Sequence, residues 1–519
     1  MDVVALLGLL LLGIVVLTPL AGRVGVPQPI ALTLYGLLLA LVPVVPTPRV
    51  PPDVILPLVL PPLLFAQTLR GSVRELRADA RAVTVLAVGL TAASAAAVAV
   101  VGHLLGLPWA VAVVLGAVVA PPDPVAATAV ARTLRLPPRL VTVLEGEGQF
   151  NDATALTTYQ VGLIAVVAGG IGLGEVGWRL ALQVVSGVLV GLAGGVAARA
   201  ALSRLADASV ETTITLALPF AVYLLADAVE SSGVLAVLAA GYFLRSRGHR
   251  ASTSAGWVLG RSVWRYVDFL VTGLLFGFLG LELTSALEDT SRLGDGHALG
   301  LAAAVIGVLV VVRFAVVHGA SALAGRRARR RGSATPAGWR EATVASWAGM
   351  RGVVTVATAL ALPLTGEDGP FPHRSEVVLV ALLTVLVTLV AQGLTLAPLV
   401  RRLGVGTAES ADEDARRLRR DATRAALRAV AGASDVGERA RSTVTTRYRA
   451  RWEHQDRIVG LFDEGEEEPE AVEELGRLMV VATDAERDRV QQARRDGEVS
   501  PAVADRLLLD VEARAARYE

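Results

Sequence analysis

The chain contains no cysteine and no lysine; all 49 of its basic residues are arginine. The missing cysteines exclude disulfides, thiol nucleophiles and cysteine-based metal sites. Histidine is scarce too, with six in 519 residues and no H-x-x-x-H pair, which speaks against zinc chemistry. The missing lysines read as a compositional bias and carry no functional meaning. Charge is thin through the first four hundred residues, where 29 Arg face 22 acids, and dense afterwards, where 20 Arg face 26 acids in residues 403–519. The balance of +1 therefore hides a boundary just after Arg401-Arg402.

What the chain has instead is apolar length. Hydrophobic residues make up 53% and mean hydropathy is +0.55, with spanning-length runs recurring to about residue 400, the pattern of a polytopic membrane protein. The first run, Val3 to Leu20, has no basic segment before it and is read as a retained helix, not a cleaved signal peptide. Punctuation by charge, Pro and Gly predicts an all-α fold of about thirteen transmembrane helices, near 2–19, 28–45, 53–69, 82–106, 108–131, 140–168, 175–198, 209–226, 231–244, 266–284, 297–325, 341–363 and 375–400. Alternate connections carry 23 arginines against four on the other side, so the positive-inside rule places the N-terminus outside and the C-terminal tail in the cytoplasm. The predicted domains are a membrane domain, 1–402, and a helical cytoplasmic tail, 403–519.

Inside these spans the exceptions are few. Leu144-Glu145-Gly146-Glu147-Gly148-Gln149-Phe150-Asn151-Asp152-Ala153-Thr154 puts carboxylates and an amide at membrane depth, and an intramembrane carboxylate is costly enough to mark a site. Helical spacing sets Glu145, Gly148 and Asp152 on one face and Glu147 and Asn151 on another, Asp152 lying roughly 140° from Glu147. One acid can then face a water-filled cavity and the other protein. Arg351, between Gly349 and Gly352, is the expected partner of whichever acid faces protein. Arg313 and His318 fit a structural or packing role better than pH sensing. Glu145 lies nearer the cytoplasmic end, in an ion funnel or a solvated helix terminus. In the fifth span, Ala120-Pro121-Pro122-Asp123-Pro124-Val125 opposes continuous helix, and Asp123 either caps the second half-helix or touches the ion.

Asn151-Asp152 after Glu147, the Asp123-Pro124 break, Leu60-Pro61-Pro62-Leu63-Leu64-Phe65 and Trp347 to Gly352 together resemble the monovalent cation:proton antiporters of the sodium/hydrogen exchanger type, over about residues 1–402. The resemblance implies a homodimer of thirteen-helix protomers with inverted repeats and crossed broken helices at spans five and twelve, an architecture documented for fold relatives of this family. It implies that Asp152 binds cation or proton, that Asn151 supports it, and that Glu147 and Arg351 form a structural ion pair. Three oxygen-bearing positions of the family are vacated here, by Gly148, Pro122 and Ala66. Gln149, Thr154 or water are the compensating ligands expected.

One carboxylate that must lose its proton before it holds a cation couples two flows by competition alone. Neutral Asn151 before Asp152 implies, by family analogy, 1:1 electroneutral exchange, and hard oxygen ligands suit Na⁺ or Li⁺. No cofactor is expected beyond the transported ions. A K⁺/H⁺ antiporter and a transport-deficient cation or pH sensor are the alternatives within the fold. An intramembrane enzyme would need a nucleophile with its base, or a metal cluster, and the spans offer neither. Partners are the ions, the plasma-membrane bilayer and a second copy of the chain, with no nucleic acid. The tail reads as helices around an acidic run, Asp463 to Glu468, with no nucleotide loop or calcium-loop spacing.

Overall fold

The structure is a computed structural model, described for residues 3–24, 26–42, 52–70, 80–123, 136–167, 173–205, 207–247, 251–291, 295–331, 338–366, 369–405, 410–433, 437–453, 469–496, 498–499 and 501–516. Pro124 and the acidic run 463–468 lie outside these residues, as does the side chain of Gln149. The fold is almost wholly helical, apart from a short antiparallel pair, β1 (Thr365–Gly366) with β2 (Gly369–Pro370).

In chain order the helices are α1 (Val3–Val24), α2 (Gln28–Ala40), α3 (Pro52–Arg70), α4 (the continuous pieces Ala80–Thr84, Val85–Leu90 and Thr91–Leu104), α5 (Trp109–Val119) and α6 (Pro138–Val167). There follow α7 (Leu173–Leu202), α8 (Ala208–Ala228), α9 (Gly233–Arg247), α10 (Ser254–Ser291), α11 (Asp295–Arg331), α12 (Trp339–Trp347), α13 (Val353–Leu360) and α14 (Arg374–Leu403). Beyond them lie α15 (Ser410–Gly432), α16 (Glu438–Glu453), α17 (Pro469–Asp496) and α18 (Pro501–Ala515). Among the described residues seven helices are long and apolar enough to cross a membrane, and α2, α5 and residues 55–69 of α3 are shorter apolar helices. Residues 85–90 of α4 are wound as π-helix, a local widening often found beside functional sites, and they pack on α6.

Two compact units emerge from the chain. One comprises residues 1–196, 216–245 and 265–406; the other combines 197–215, 246–264 and 407–519. The tail helices are thus built together with the ends of three apolar helices, α7, α8 and α10. Hydropathy places the start of span ten near 266, whereas α10 begins at Ser254. The extension is held by local chemistry: Thr253 Oγ1 accepts the Gly256 N–H at 3.0 Å, an N-cap geometry, and Glu211 accepts the Thr253 N–H at 3.1 and 3.2 Å. Its Trp257 packs on a core of Leu418, Ala422, Val490, Ala493, Val503, Leu507 and Leu508. A polar sequence therefore continues as helix because its apolar face has a partner, which a hydropathy window does not register.

Buried acids among the described residues of this second unit are tightly paired. Glu512 takes both Nε and Nη2 of Arg487 at 2.7 Å, Asp505 meets Arg494 at 2.9 Å and Arg261 at 3.3 Å, and Glu486 meets Arg514 at 2.6 Å. Burial, aided by neighbouring Glu486, pushes the Tyr448 phenol well above its usual range.

Candidate functional site

The polar groups of the first unit converge where two helices stop in mid-fold. α5 ends at Val119 and the chain runs on, non-helical, through Pro121, Pro122 and Asp123, where proline withdraws backbone donors. α12 and α13 are likewise separated by unwound residues 348–352, with Gly352 as N-cap of α13. The two unwound stretches touch: the Asp123 N–H donates to the Met350 carbonyl at 2.6 Å. The second half of span five falls on residues outside the description. Irregular backbone at this depth survives because its polar groups are paired within protein.

Asp123 lies beside the start of a helix, though not its own. A Cβ built on Gly352 would fall on the Asp123 carboxylate, so the acid lies directly against the N-terminus of α13. There the unpaired N–H groups and the positive end of the dipole favour negative charge. Glycine at 352 is what leaves room for it.

Asn151 and Asp152 sit mid-way along α6 and are both buried, Asp152 with 2% of its surface exposed. Asn151 donates through Nδ2 to the Pro122 carbonyl at 2.8 Å, tying α6 to the broken segment of span five. Asp152 Oδ2 and Asn151 Oδ1 are buried without a hydrogen-bond partner among the described residues. A small recess of about 10 Å³ is lined by Leu63 and Gln67 of α3, by Pro121, Pro122 and Asp123, by Asp152, and by Gly352, Val353, Val354 and Thr355. Asp152, Asp123 and Pro122 are thus brought together as expected from sequence, and Asn151 adjoins them through its bond to Pro122. Thr154 is not among the lining residues; its hydroxyl donates back along α6 to the Phe150 carbonyl at 3.2 Å. Glu145 is half-buried on α6 and also outside the recess lining.

The expected Glu147–Arg351 pair is not what the structure shows. Glu147 pairs with Arg313 of α11, Nη1 to Oε1 at 2.5 Å and Nη2 to Oε2 at 3.0 Å, with both residues buried. Arg313 also donates to the carbonyls of Ala345 and Ser346 at 3.1 to 3.2 Å. Gly349 is needed for this, since a Cβ there would collide with the Arg313 side chain. The Arg351 guanidinium bonds backbone instead, Nε donating to the Val119 carbonyl at 2.8 Å and Nη1 to the Gly349 carbonyl, while its main-chain N–H donates to the Thr388 hydroxyl at 3.1 Å. The physical reason is supply. Unwound backbone and a helix C-terminus expose carbonyls that continuous helix would use internally, so one guanidinium can be buried without a carboxylate.

Sequence reading missed Gln67 and Thr355 as lining residues. Both follow a break or proline cluster within one turn or so, the one signal available for them.

A membrane carrier with unwound helices around buried carboxylates is the class these features define. Comparison with known proteins makes that specific: residues 8–402 match the transmembrane sodium/hydrogen exchanger family, and the chain belongs to it. It is 36% identical over 400 residues to an uncharacterised Na⁺/H⁺ exchanger of Mycobacterium tuberculosis, covering 76% of this chain and 73% of that one. It is 30% identical over 370 residues to the Na⁺/H⁺ antiporter NhaP of Pseudomonas aeruginosa, covering 68% of this chain and 82% of that one. In fold it matches the sodium proton antiporter MjNhaP1 of Methanocaldococcus jannaschii, with a TM-score of 0.63 at 18% identity, over 77% of this chain and 98% of that structure. The protein is therefore a multi-pass membrane protein of a secondary-transporter family whose activity is cation/proton antiport.

Proposed function

We propose that the protein exchanges Na⁺ or Li⁺ for H⁺ across the plasma membrane, one for one, by competition of cation and proton for Asp152. The observation that carries this reading is the Asp152 carboxylate oxygen, buried without a hydrogen-bond partner in a recess shared with Asp123. Leaving such a group unpaired costs free energy, and a cargo that satisfies it repays that cost on binding. Asn151 holds the broken segment by its amide, and Asp123, at a helix N-terminus, lines the same recess as Asp152. Proton and sodium cannot both occupy one carboxylate, so each displaces the other and exchange follows when the empty carrier rarely crosses.

Within this reading the protomer has thirteen spans with inverted repeats, the N-terminus outside, a membrane domain over 1–402 and a cytoplasmic tail over 403–519. It works as a homodimer. The test is cation-dependent proton flux in proteoliposomes carrying a pH dye, with Na⁺, Li⁺ and K⁺ compared for the native chain and Asp152→Asn. Flux with Na⁺ or Li⁺ that disappears in the variant supports the reading; flux with K⁺ alone reassigns the ion, and no flux with any ion makes the protein a sensor on a transporter fold.

A further inference from the structure

We propose that the Thr355 hydroxyl is a ligand of the transported cation, supplying a side-chain oxygen that Gly148, Pro122 and Ala66 do not. The inference rests on the Na⁺/H⁺ reading above and deepens it. Thr355 lines the recess with Asp123 and Asp152, is 1% exposed, and its Oγ1 has no hydrogen-bond partner among the described residues.

A buried hydroxyl in a helix ordinarily hydrogen-bonds the carbonyl four residues back. Thr384 does so to Val380 at 2.7 Å, Thr388 to Thr384 at 2.7 Å, Ser346 to Ala342 at 2.8 Å, and Thr358, one turn beyond Thr355, to Val354. Thr355 stands in the first turn of α13, where the residue four back, Arg351, belongs to the unwound stretch and its carbonyl is no rung of the helix. The break that exposes the helix N-terminus to Asp123 thereby also leaves this hydroxyl uncommitted. A hydroxyl accepts and donates, so it coordinates a hard cation when the carboxylate is charged and hydrogen-bonds the carboxyl when it is protonated. It strengthens cation binding more than proton binding, since a proton needs one oxygen and a cation needs several.

The test uses the full-length protein: ²²Na⁺ binding to purified chain, and dye-reported flux in proteoliposomes, for native, Thr355→Val, Thr355→Ser and Asp152→Asn. Valine keeps the shape and removes the oxygen. We expect Thr355→Val to raise half-saturating Na⁺ about tenfold, as for loss of one hydrogen-bond-strength contact to a charge, with the maximal rate within about twofold. At a fixed Na⁺ concentration well above both half-saturating values the acid side of its pH profile should then move about one unit upward, because weaker cation binding yields to fewer protons. Thr355→Ser should restore both. A packing role would lower yield or maximal rate without shifting the cation–proton competition. Should valine fold poorly, Thr355→Ala gives the same readouts. Unchanged Na⁺ dependence in a chain that Asp152→Asn silences would overturn Thr355 as a ligand and leave antiport standing; a native chain that neither binds nor transports Na⁺ would overturn both.

Discussion

The two units of this chain bury acidic groups in opposite ways. In the tail unit, Glu486, Asp505 and Glu512 each meet an arginine at 2.6 to 2.9 Å. Around the broken helices, Asp152 Oδ2, Asn151 Oδ1 and Thr355 Oγ1 lie buried with no hydrogen-bond partner among the described residues. Buried polar atoms are overwhelmingly satisfied in folded proteins, so an unpaired oxygen that also lines a recess is a candidate for something that comes and goes. The membrane unit contains its own control: Glu147, five residues from Asp152 on the same helix, is saturated by Arg313.

The comparison can be broken most decisively at Asp152. Asp152→Asn should abolish cation-dependent proton flux, a loss of about a hundredfold or more, while yield and thermal stability stay at or above native, since a costly charge has been removed. If flux survives, the incomplete site is not the transport site.

Glu147→Gln should do the reverse. Leaving Arg313 buried without its carboxylate costs about 3–5 kcal/mol, so expression and melting temperature fall first and flux falls with them. Replacing both residues, Glu147→Leu with Arg313→Met, should recover part of that stability, measurable by fluorescence-detected unfolding. A chain insensitive to Glu147→Gln would deny the pair its structural role.

Gly352→Ala sharpens the reading of Asp123. Its methyl must displace the carboxylate, at a cost of about 1–3 kcal/mol for overpacking, and the expected outcome is flux reduced about tenfold with weaker Na⁺ dependence. The smallest effect belongs to the tail. Arg487→Ala removes a bidentate partner of buried Glu512 and should cost about 2–3 kcal/mol in the tail unit, seen as a lower unfolding temperature, with half-saturating Na⁺ unchanged.

Much of this was legible in the sequence, for identifiable reasons. Intramembrane acids are rare enough that Asp152 and Glu147 stand out by type alone, and helical spacing separates them around the helix axis. Three prolines around Asp123 announced the break. The partner of Glu147 was not legible: helical periodicity sorts residues around one axis and says nothing of which of two buried arginines, Arg313 or Arg351, stands opposite on another helix. Asp123 was expected to serve its own half-helix or the ion, and it lies on the N-terminus of a helix 230 positions away in sequence. Thr355 was invisible because a threonine in Val-Val-Thr-Val-Ala-Thr reads as an ordinary apolar turn; what distinguishes it is the missing carbonyl four residues back.

Arg313 reaches from α11 to Glu147 on α6 and to the last carbonyls of α12. If that contact had to open in each cycle, its cost of about 3–5 kcal/mol would enter the activation barrier and slow turnover by about two to four orders of magnitude. The faster course is to leave it shut. Left shut, the contact ties pieces of α6, α11 and α12 into one block.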